Sequence, residues 1–516
     1  MGSMRWRAAA GIAVVLAGVV FSTSPGRSSS ARATSGHLSV RLSVGYESEQ
    51  ALTAALRTTS AVVVRRLSAL HVAEVRTETP GQVAVTLRRA PGIRFVQRTA
   101  ARLAVAEPGL TLASMTRRAV WEWQYRATHE DAVPASVLRA ASSLQIAVID
   151  TGADLAAPDL AAKSPGAYNT RTGNADVRDA NGHGTFVSSL AAGSVTNGDG
   201  IAGAGGDAQL LVVKAGSASG LFTDMDEAAG ITYAVDHGAK IINLSVGGPT
   251  TSVTEQRAIQ YAVQHGALLV AAVGNEYADG NPVEYPAALL QPAGSNGAGG
   301  SGLAVTASSS TGLRAPFANM GSWVSLAAPG ENVFGAVSQD ASPAVYPRSP
   351  LPGSQSGLYG YASGTSFAAP QVSGAAALVW AANPSLTAPQ VAQILKQTAS
   401  GAGRWTPELG FGVIDVAAAV ARAQAGEPGV LLSGNRVDTR MRLNWSGGAP
   451  RYTLSLSTDS SPSTTVLSGT QQTSTTLTLA RGHSYSFTVA ALDASGVATS
   501  TSVPLTIAVA AARSRR

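Results

Sequence analysis

The pattern of apolar and polar residues is clearest between about 120 and 425, where short apolar runs alternate with helix-length amphipathic segments. The expected strands are Gln145–Ile149, Leu210–Lys214, Lys240–Leu244, Ala267–Ala272 and Leu303–Thr306. The expected helices are His183–Ala192, Asp224–His237, Ser252–His265, Ser366–Ala381 and Ala388–Thr398. Strands that are apolar throughout and alternate with helices indicate an α/β fold with a mostly parallel sheet covered on both faces. Sites in such folds lie at the carboxyl ends of the strands.

The regions on either side have different patterns. Residues 38–98 predict a small α+β unit. Its expected strands cover 38–45, 61–65, 69–76 and 93–96, and its expected helices cover 49–58 and 82–90. Residues 427–510 are rich in Thr, Ser and Leu and lack a helical period, which predicts a β-sandwich. The strands expected there are Arg442–Trp445, Tyr452–Ser457, Thr475–Leu479 and Tyr485–Leu492.

The first residues resemble an export signal. Arg5 and Arg7 precede an apolar run over residues 8–21, and Ala31-Arg32-Ala33 offers a small-residue cleavage point. The run is shorter than the roughly 20 residues that span a bilayer. We therefore expect a signal peptide over 1–33 and a secreted protein without a stable membrane anchor. A buried N-terminal helix is the alternative.

Composition and charge exclude several classes of function. The 516 residues include no Cys, which excludes disulfides, Cys-ligated metals and a Cys nucleophile. The net charge of +6 comes from residues 1–118, which hold 16 Arg and five Glu, whereas residues 119–516 hold 21 basic and 26 acidic residues. The basic balance therefore gives no reason to expect a nucleic-acid partner.

Three segments carry residues suited to catalysis. Asp150 follows an apolar strand and precedes Thr151-Gly152, a position that holds a carboxylate rigidly. His183 opens a helix between two glycines, where the helix dipole favours the neutral imidazole of a general base. Ser366 falls in the first turn of another helix, where unpaired N–H groups can bind an anion. Asp-Thr-Gly also occurs in aspartic proteases, which combine two such loops, and this remains an alternative for Asp150.

Taken in order, these segments resemble the subtilisin-like serine peptidases, the subtilases of peptidase family S8. The resemblance covers roughly residues 120–420 and rests on Asp150-Thr151-Gly152, Gly182-His183-Gly184-Thr185 and Gly364-Thr365-Ser366-Phe367-Ala368-Ala369-Pro370. It implies a three-layer subtilisin-like fold and hydrolysis of peptide bonds by a serine endopeptidase. It also implies that Asp150 orients His183, that His183 is the base for Ser366, and that Asn275 stabilises the oxyanion.

The resemblance implies further sites and domains. The implied substrate-binding residues are Ser219, Gly220, Ser245, Val246, Gly247 and Gly274. No cofactor is needed for the chemistry, and Asp159 and Asn197 are candidates for a structural calcium site, with an ion-free polar loop as the alternative. Residues 34–118 form the propeptide, residues 119–425 the catalytic domain and residues 427–510 a module resembling fibronectin type III.

The expected partners follow from these assignments. They are protein and peptide substrates and the chain's own prodomain, an intramolecular inhibitor released by autoprocessing within about 99–120. We expect a monomer. A catalytically inactive adhesion or binding protein is a further alternative. Glu276 follows Asn275 and either lies near the base of the primary pocket, favouring basic side chains, or faces solvent.

Overall fold

A computed structural model describes residues 39–104, 122–198, 200–297, 300–349, 351, 358–426, 429–446 and 449–511. The signal peptide predicted over 1–33 lies outside these residues. The elements described below belong to one compact unit that begins at Val40. Within the described ranges, no helix combines the length and apolar character needed to cross a membrane.

The described chain begins with an antiparallel sheet covered by two helices. Its strands are β1 (Val40–Tyr46), β2 (Val62–Leu67), β3 (Val72–Thr77) and β4 (Ile93–Arg98), in the spatial order β2-β3-β1-β4. Its helices are α1 (Glu49–Leu56) and α2 (Pro80–Arg89). Leu52 and Leu87 of the helices share a buried core with Val44 and Val75 of the sheet. The chain then continues into β5 (Ala101–Ala104).

A seven-stranded parallel sheet forms the centre of the fold. The strands of the central region are β6 (Gln145–Asp150), β7 (Gly166–Asn169), β8 (Gln209–Lys214), β9 (Leu221–Thr223), β10 (Ile241–Leu244), β11 (Val246–Gly247), β12 (Leu268–Ala272), β13 (Leu303–Ser308), β14 (Leu326–Pro329), β15 (Val333–Ala336) and β16 (Tyr359–Ala362). The central sheet has the order β14-β13-β12-β10-β6-β8-β7, and each neighbouring pair in it is parallel. This confirms the predicted fold class.

Helices cover both faces of this sheet. They are α3 (Trp123–Ala127), α4 (Ala135–Ala140), α5 (Pro158–Ala161), α6 (His183–Ala192), α7 (Asp224–Asp236), α8 (Val253–Gln264), α9 (Ala287–Leu290), α10 (Thr365–Ala382), α11 (Ala388–Thr398) and α12 (Val416–Gln424). Ile146 and Val148 of β6 point into the core that contains α6 and α10. Ala147 and Ile149 point into the opposite core, with α7 and α8. Burial on both faces explains why β6 is apolar throughout.

Two antiparallel sheets follow the central region. Their strands are β17 (Leu431–Val437), β18 (Arg440–Ser446), β19 (Arg451–Thr458), β20 (Thr464–Thr470), β21 (Ser474–Thr478), β22 (His483–Leu492), β23 (Ala498–Thr501) and β24 (Leu505–Val509). One sheet has the order β17-β18-β21, and the other has the order β20-β19-β22-β23 with β24 also paired to β22. Trp445, Tyr452 and Phe487 are buried in the core of this region. The arrangement is consistent with the predicted β-sandwich, and its relation to fibronectin type III stays a prediction.

Candidate active site

Asp150 and His183 lie side by side at the carboxyl edge of the central sheet. Asp150 ends β6, His183 begins α6, and Asp150 Oδ1 lies 2.7 Å from His183 Nδ1, with both side chains buried. The backbone N–H of Thr151 also donates to Asp150 Oδ1. A Cβ at Gly184 would lie 2.1 Å from the carbonyl oxygen of Gly152, so only glycine allows the two loops to approach this closely.

Asp179 ties these two loops together, although the sequence analysis did not identify it. Its buried Oδ1 accepts hydrogen bonds from Thr151 Oγ1 at 2.8 Å and from the Gly182 N–H at 2.9 Å. Its Oδ2 accepts from both the N–H and the hydroxyl of Thr185. Asp179 could have been predicted from its position: it is an acid a few residues before α6, whose N-cap residue, Gly182, makes no side-chain hydrogen bond.

Ser366 lies in the first turn of α10, and the residue that follows it, Phe367, packs against His183. Its Oγ donates to the carbonyl oxygen of Ser245 at 3.4 Å, and Ser245 Oγ donates to the Ser366 carbonyl oxygen at 2.8 Å. The rings of His183 and Phe367 have centroids 5.6 Å apart, which places the start of α10 against the imidazole. Ser366 is fully buried. The structure therefore brings the three predicted segments together.

Asn275 is held by the residue that precedes Ser366. Asn275 Oδ1 accepts hydrogen bonds from the Thr365 N–H at 2.9 Å and from the Thr365 hydroxyl at 3.0 Å. A Cβ at Gly364 would lie 3.3 Å from Asn275 Nδ2, so the amide nitrogen lies beside the start of α10. The predicted residue Gly274 joins the same network, since its N–H donates to Thr365 Oγ1.

Strand β5 occupies a groove next to these residues. It is the middle strand of a three-stranded sheet, antiparallel to β9 on one side and to β11 on the other. Ala104 pairs with Val246, Leu103 pairs with Gly247, and the Ala104 N–H donates to the Gly220 carbonyl oxygen at 2.8 Å. Three predicted substrate-binding residues therefore contact an extended peptide segment of the same chain.

Two of the other predicted substrate-binding residues have different surroundings. Ser245 contacts Ser366, as described above. Ser219 lies in the turn before β9, and its Oγ lies 2.9 Å from Ser217 Oγ. The turn is closed by the Gly220 N–H, which donates to the Ser217 carbonyl oxygen.

A pair of acids flanks Gly274. A Cβ on this glycine would lie 2.8 Å from Glu276 Oε2 and 2.9 Å from Glu284 Cδ. Burial, together with the neighbouring Glu276, raises the pKa of Glu284 to about 8. Glu276 is therefore turned towards the network around Asn275, whose N–H donates to Glu276 Oε2 at 2.7 Å.

The candidate calcium residues lie together near a second acid that sequence reasoning missed. Asp159 Oδ1 accepts from Asn197 Nδ2 and from the Ile201 N–H, and its Oδ2 accepts from the Tyr359 hydroxyl. Burial raises the pKa of Asp159, and burial and Asp159 together raise the pKa of Glu122 to about 7. Among the residues the structure describes, no group of three or more His, Cys, Asp or Glu side chains could hold a metal. The buried carboxyl group of Asp159, the half-buried one of Glu122 and the amide of Asn197 nevertheless carry the kind of oxygen ligands that Ca²⁺ prefers.

Comparison with known proteins identifies the family. Residues 141–413, about half of the chain, match the model of the subtilase family. Thermitase of Thermoactinomyces vulgaris is 33% identical over 267 residues, covering 51% of this chain and 85% of thermitase. The chain therefore belongs to the subtilase family of subtilisin-like serine peptidases.

Two further comparisons extend this finding. The thermophilic serine proteinase of Bacillus sp. strain AK1 is 34% identical over 272 residues, covering 52% of this chain and 60% of the Bacillus protein. The match thus spans less than two thirds of that relative. Fervidolysin of Fervidobacterium pennivorans, a keratinolytic enzyme related to subtilisin, superposes with a TM-score of 0.62 at 23% identity over 91% of this chain and 74% of fervidolysin. At this identity, the superposition supports the fold alone.

Proposed function

We propose that the chain is a secreted serine endopeptidase that cleaves proteins with Asp150, His183 and Ser366 and is made as an autoprocessed zymogen. The observation that carries this proposal is the 2.7 Å contact between Asp150 and His183, with the start of α10 packed against the imidazole. A buried carboxylate on Nδ1 fixes the tautomer and stabilises the imidazolium that forms when His183 takes a proton.

The proposed reaction is acyl transfer to Ser366 followed by hydrolysis. His183 Nε2 accepts the Ser366 hydroxyl proton while Oγ attacks the carbonyl carbon of the peptide bond. His183 then gives this proton to the leaving amine, which departs with the electron pair of the broken C–N bond. Water attacks the acyl-enzyme by the same route in reverse, releasing the second product and the free hydroxyl.

Asn275 and the start of α10 supply the proposed oxyanion site. Thr365 donates to the Asn275 carbonyl oxygen, and the amide nitrogen lies beside the start of α10. The Ser366 N–H belongs to the first turn of a helix, where N–H groups lack helical acceptors. Both donors are set before substrate arrives, which is the condition for strong stabilisation of a developing negative charge.

Strand β5 supports the zymogen proposal. It lies between β9 and β11 as an added strand, the geometry in which sheet edges bind extended peptides. While β5 remains there, a substrate strand cannot occupy the same place. We therefore assign residues 34–118 as an inhibitory propeptide that is removed by cleavage after β5, and the apolar run over 8–21 as its export signal.

We also assign a structural Ca²⁺ ion to Glu122, Asp159 and Asn197. The ion would offset the repulsion between the Asp159 and Glu122 carboxylates and stabilise the loop that follows α6. It takes no part in the chemistry. On either side of Asn197 in the sequence, the Ser194 N–H donates to the Asp159 carbonyl oxygen and the Ile201 N–H donates to Asp159 Oδ1.

The two alternative functions make different predictions. An aspartic-type protease requires a second carboxylate beside Asp150, but Asp150 is paired with His183. Such an enzyme would be most active in acid and would be inhibited by pepstatin. An inactive binding protein would neither process itself nor hydrolyse casein.

Replacement of Ser366 tests the proposal. Ser366→Ala is expected to accumulate as the unprocessed precursor and to lose casein hydrolysis by about 10⁶-fold in rate, a magnitude known from subtilisin. Ser142→Ala, at an exposed serine, is the matched control and should be processed normally. Survival of processing and proteolysis in Ser366→Ala would show that the assignment is wrong.

A further inference from the structure

Arg102, on strand β5, is a fully buried arginine with only 1% of its surface exposed. The strand brings it into the central region, where its neighbours are residues from distant parts of the sequence. A guanidinium cannot be neutralised by losing its proton inside a protein, so burial requires charged partners at close range. The identity of these partners defines what the groove around β5 is built to bind.

The partners of Arg102 are acids at the beginnings of α7 and α8. Glu255 receives two hydrogen bonds, from Nη2 to Oε2 at 2.9 Å and from Nε to Oε1 at 3.3 Å. Glu227 Oε2 lies 3.6 Å from Arg102 Nε. Asp224 completes the pocket and accepts the Ala100 N–H at 3.0 Å. All three acidic residues are fully buried, and we call them the acidic pocket.

The central region fixes Glu255 in place independently of Arg102. Glu255 is the third residue of α8 and forms a reciprocal capping box with Ser252. Its Oε2 also accepts the Thr251 hydroxyl at 2.7 Å. The floor of the pocket includes Gly248, where a Cβ would lie 3.4 Å from Arg102 Cδ, so the arginine stem lies directly along the backbone. The pocket is thus arranged before any guanidinium enters it.

The acidic pocket holds three carboxyl groups, and Arg102 forms ion pairs with two of them, Glu227 and Glu255. Neither oxygen of Glu227 has a hydrogen-bond partner among the residues the structure describes, although both are buried. Burial and the neighbouring Glu255 raise the pKa of Glu227, whereas Arg102 lowers it. Departure of Arg102 therefore leaves a buried, uncompensated acidic site, and entry of another cationic side chain is favoured.

The strand register relates this pocket to Ser366. Along β5, Arg102 pairs with Phe222 on one side, and Ala104 pairs with Val246 on the other. The residue before Val246 is Ser245, whose carbonyl oxygen lies 3.4 Å from Ser366 Oγ. A substrate bound antiparallel in this register would place the third residue after its arginine opposite Ser245, next to the nucleophile.

We propose that the acidic pocket of Asp224, Glu227 and Glu255 selects substrates with an arginine three residues before the residue whose carbonyl carbon Ser366 attacks. This specificity rests on the proposed function, because β5 must leave the groove before a substrate enters. The prodomain strand then carries the same recognition element as the substrates. The substrate class is an extended peptide with a basic residue at the fourth position before the cut.

The test uses the processed enzyme and quenched fluorogenic peptides that differ at this one position. The position carries Arg, Lys, norleucine or Glu, and mass spectrometry locates the cut in each peptide. We expect kcat/KM to be roughly 10- to 100-fold higher for Arg than for norleucine, the range for hydrogen bonds to a charged group. Lys should fall between them, because it cannot make the bidentate contact, and Glu should be the poorest substrate.

Glu255→Gln provides the matched test of the pocket, since glutamine can still form the capping box of α8. The Arg-to-norleucine ratio should fall by at least about fivefold in this variant. The ratio should stay within about twofold in the control Glu408→Gln, at an exposed glutamate. An unchanged ratio in Glu255→Gln would overturn the proposal.

Two further results would separate failure of the arginine pocket from failure of the proposed function. Equal rates for Arg and norleucine, in an enzyme that hydrolyses casein and reacts with a fluorophosphonate, would overturn the arginine pocket and leave the proposed function intact. Arg102 would then serve only to fasten the precursor. An enzyme that neither hydrolyses casein nor reacts with the fluorophosphonate would overturn both proposals.

Discussion

At the scale of single residues, Asn275 carries the most direct prediction about rate. Thr365 fixes its carbonyl oxygen, so replacement by Ala should remove one oxyanion donor with little effect on substrate binding. We expect Asn275→Ala to lower kcat by about 10²–10³-fold with a small change in KM. Steady-state kinetics on one peptide substrate measures both constants. Asn174→Ala, at an exposed turn, is the control, and a loss confined to KM would contradict the oxyanion role.

Lys396 is the residue with the clearest pH dependence of stability. Burial in α11 lowers its pKa to about 7, and no acid pairs with it in the parts of the chain that the structure describes. Below pH 7 the folded protein must bury a charge, and this penalty disappears as the pH rises from about 7 to 10.5. A pKa shift of this size destabilises the folded protein by at most about 5 kcal/mol.

Replacement by methionine should therefore stabilise the protein at pH 7. Lys396→Met is expected to raise the melting temperature there and to lose the advantage as the pH approaches 10. Thermal unfolding of both proteins at several pH values, compared with the exposed control Lys240→Met, measures the difference. A gain that is equal at pH 7 and pH 10 would contradict the role of the lysine charge.

At the scale of elements, the loop after α6 and the turn of α5 should be stabilised together by Ca²⁺. Asp159 lies in α5 and Asn197 in the loop, so an ion between them joins the two elements. Chelation by EDTA is expected to lower the melting temperature by several degrees, because a ligand at 100 times its Kd contributes about 2.7 kcal/mol. Asp159→Asn should abolish this fall in melting temperature. Asp154→Asn, which changes an acid outside the proposed site, should retain it. Identical melting with and without Ca²⁺ would contradict the assignment.

The strands of the central region also show which elements can be predicted from sequence. β6, β8, β10, β12 and β13 were predicted because burial on both faces makes them continuously apolar. β7 and β14 were missed because each has only four residues and forms an edge of the sheet. The antiparallel pair β15–β16 was missed for a similar reason: each strand has only four residues and contains a glycine.

At the scale of the whole molecule, contacts between distant segments decide what the sequence could not reveal. The pairing of Arg102 with Glu255 joins residues 153 positions apart, and that of Arg65 with Asp226 joins residues 161 apart. The motifs around Asp150, His183 and Ser366 could be predicted because each occupies a few consecutive residues. Residues 1–118 carry an excess of basic residues and residues 119–516 an excess of acidic ones, and these two ion pairs join the two regions.

The proposed chemistry depends on Ser366 acting as a nucleophile that His183 activates. The most direct measurement is to treat the purified processed enzyme with a fluorophosphonate, digest it and locate the modified residue by mass spectrometry. We predict a single phosphonylated peptide that carries the label on Ser366, and loss of this label in His183→Ala from which an added active enzyme has removed the propeptide. A label on another serine, or equal labelling of Ser366 in His183→Ala, would contradict the claim.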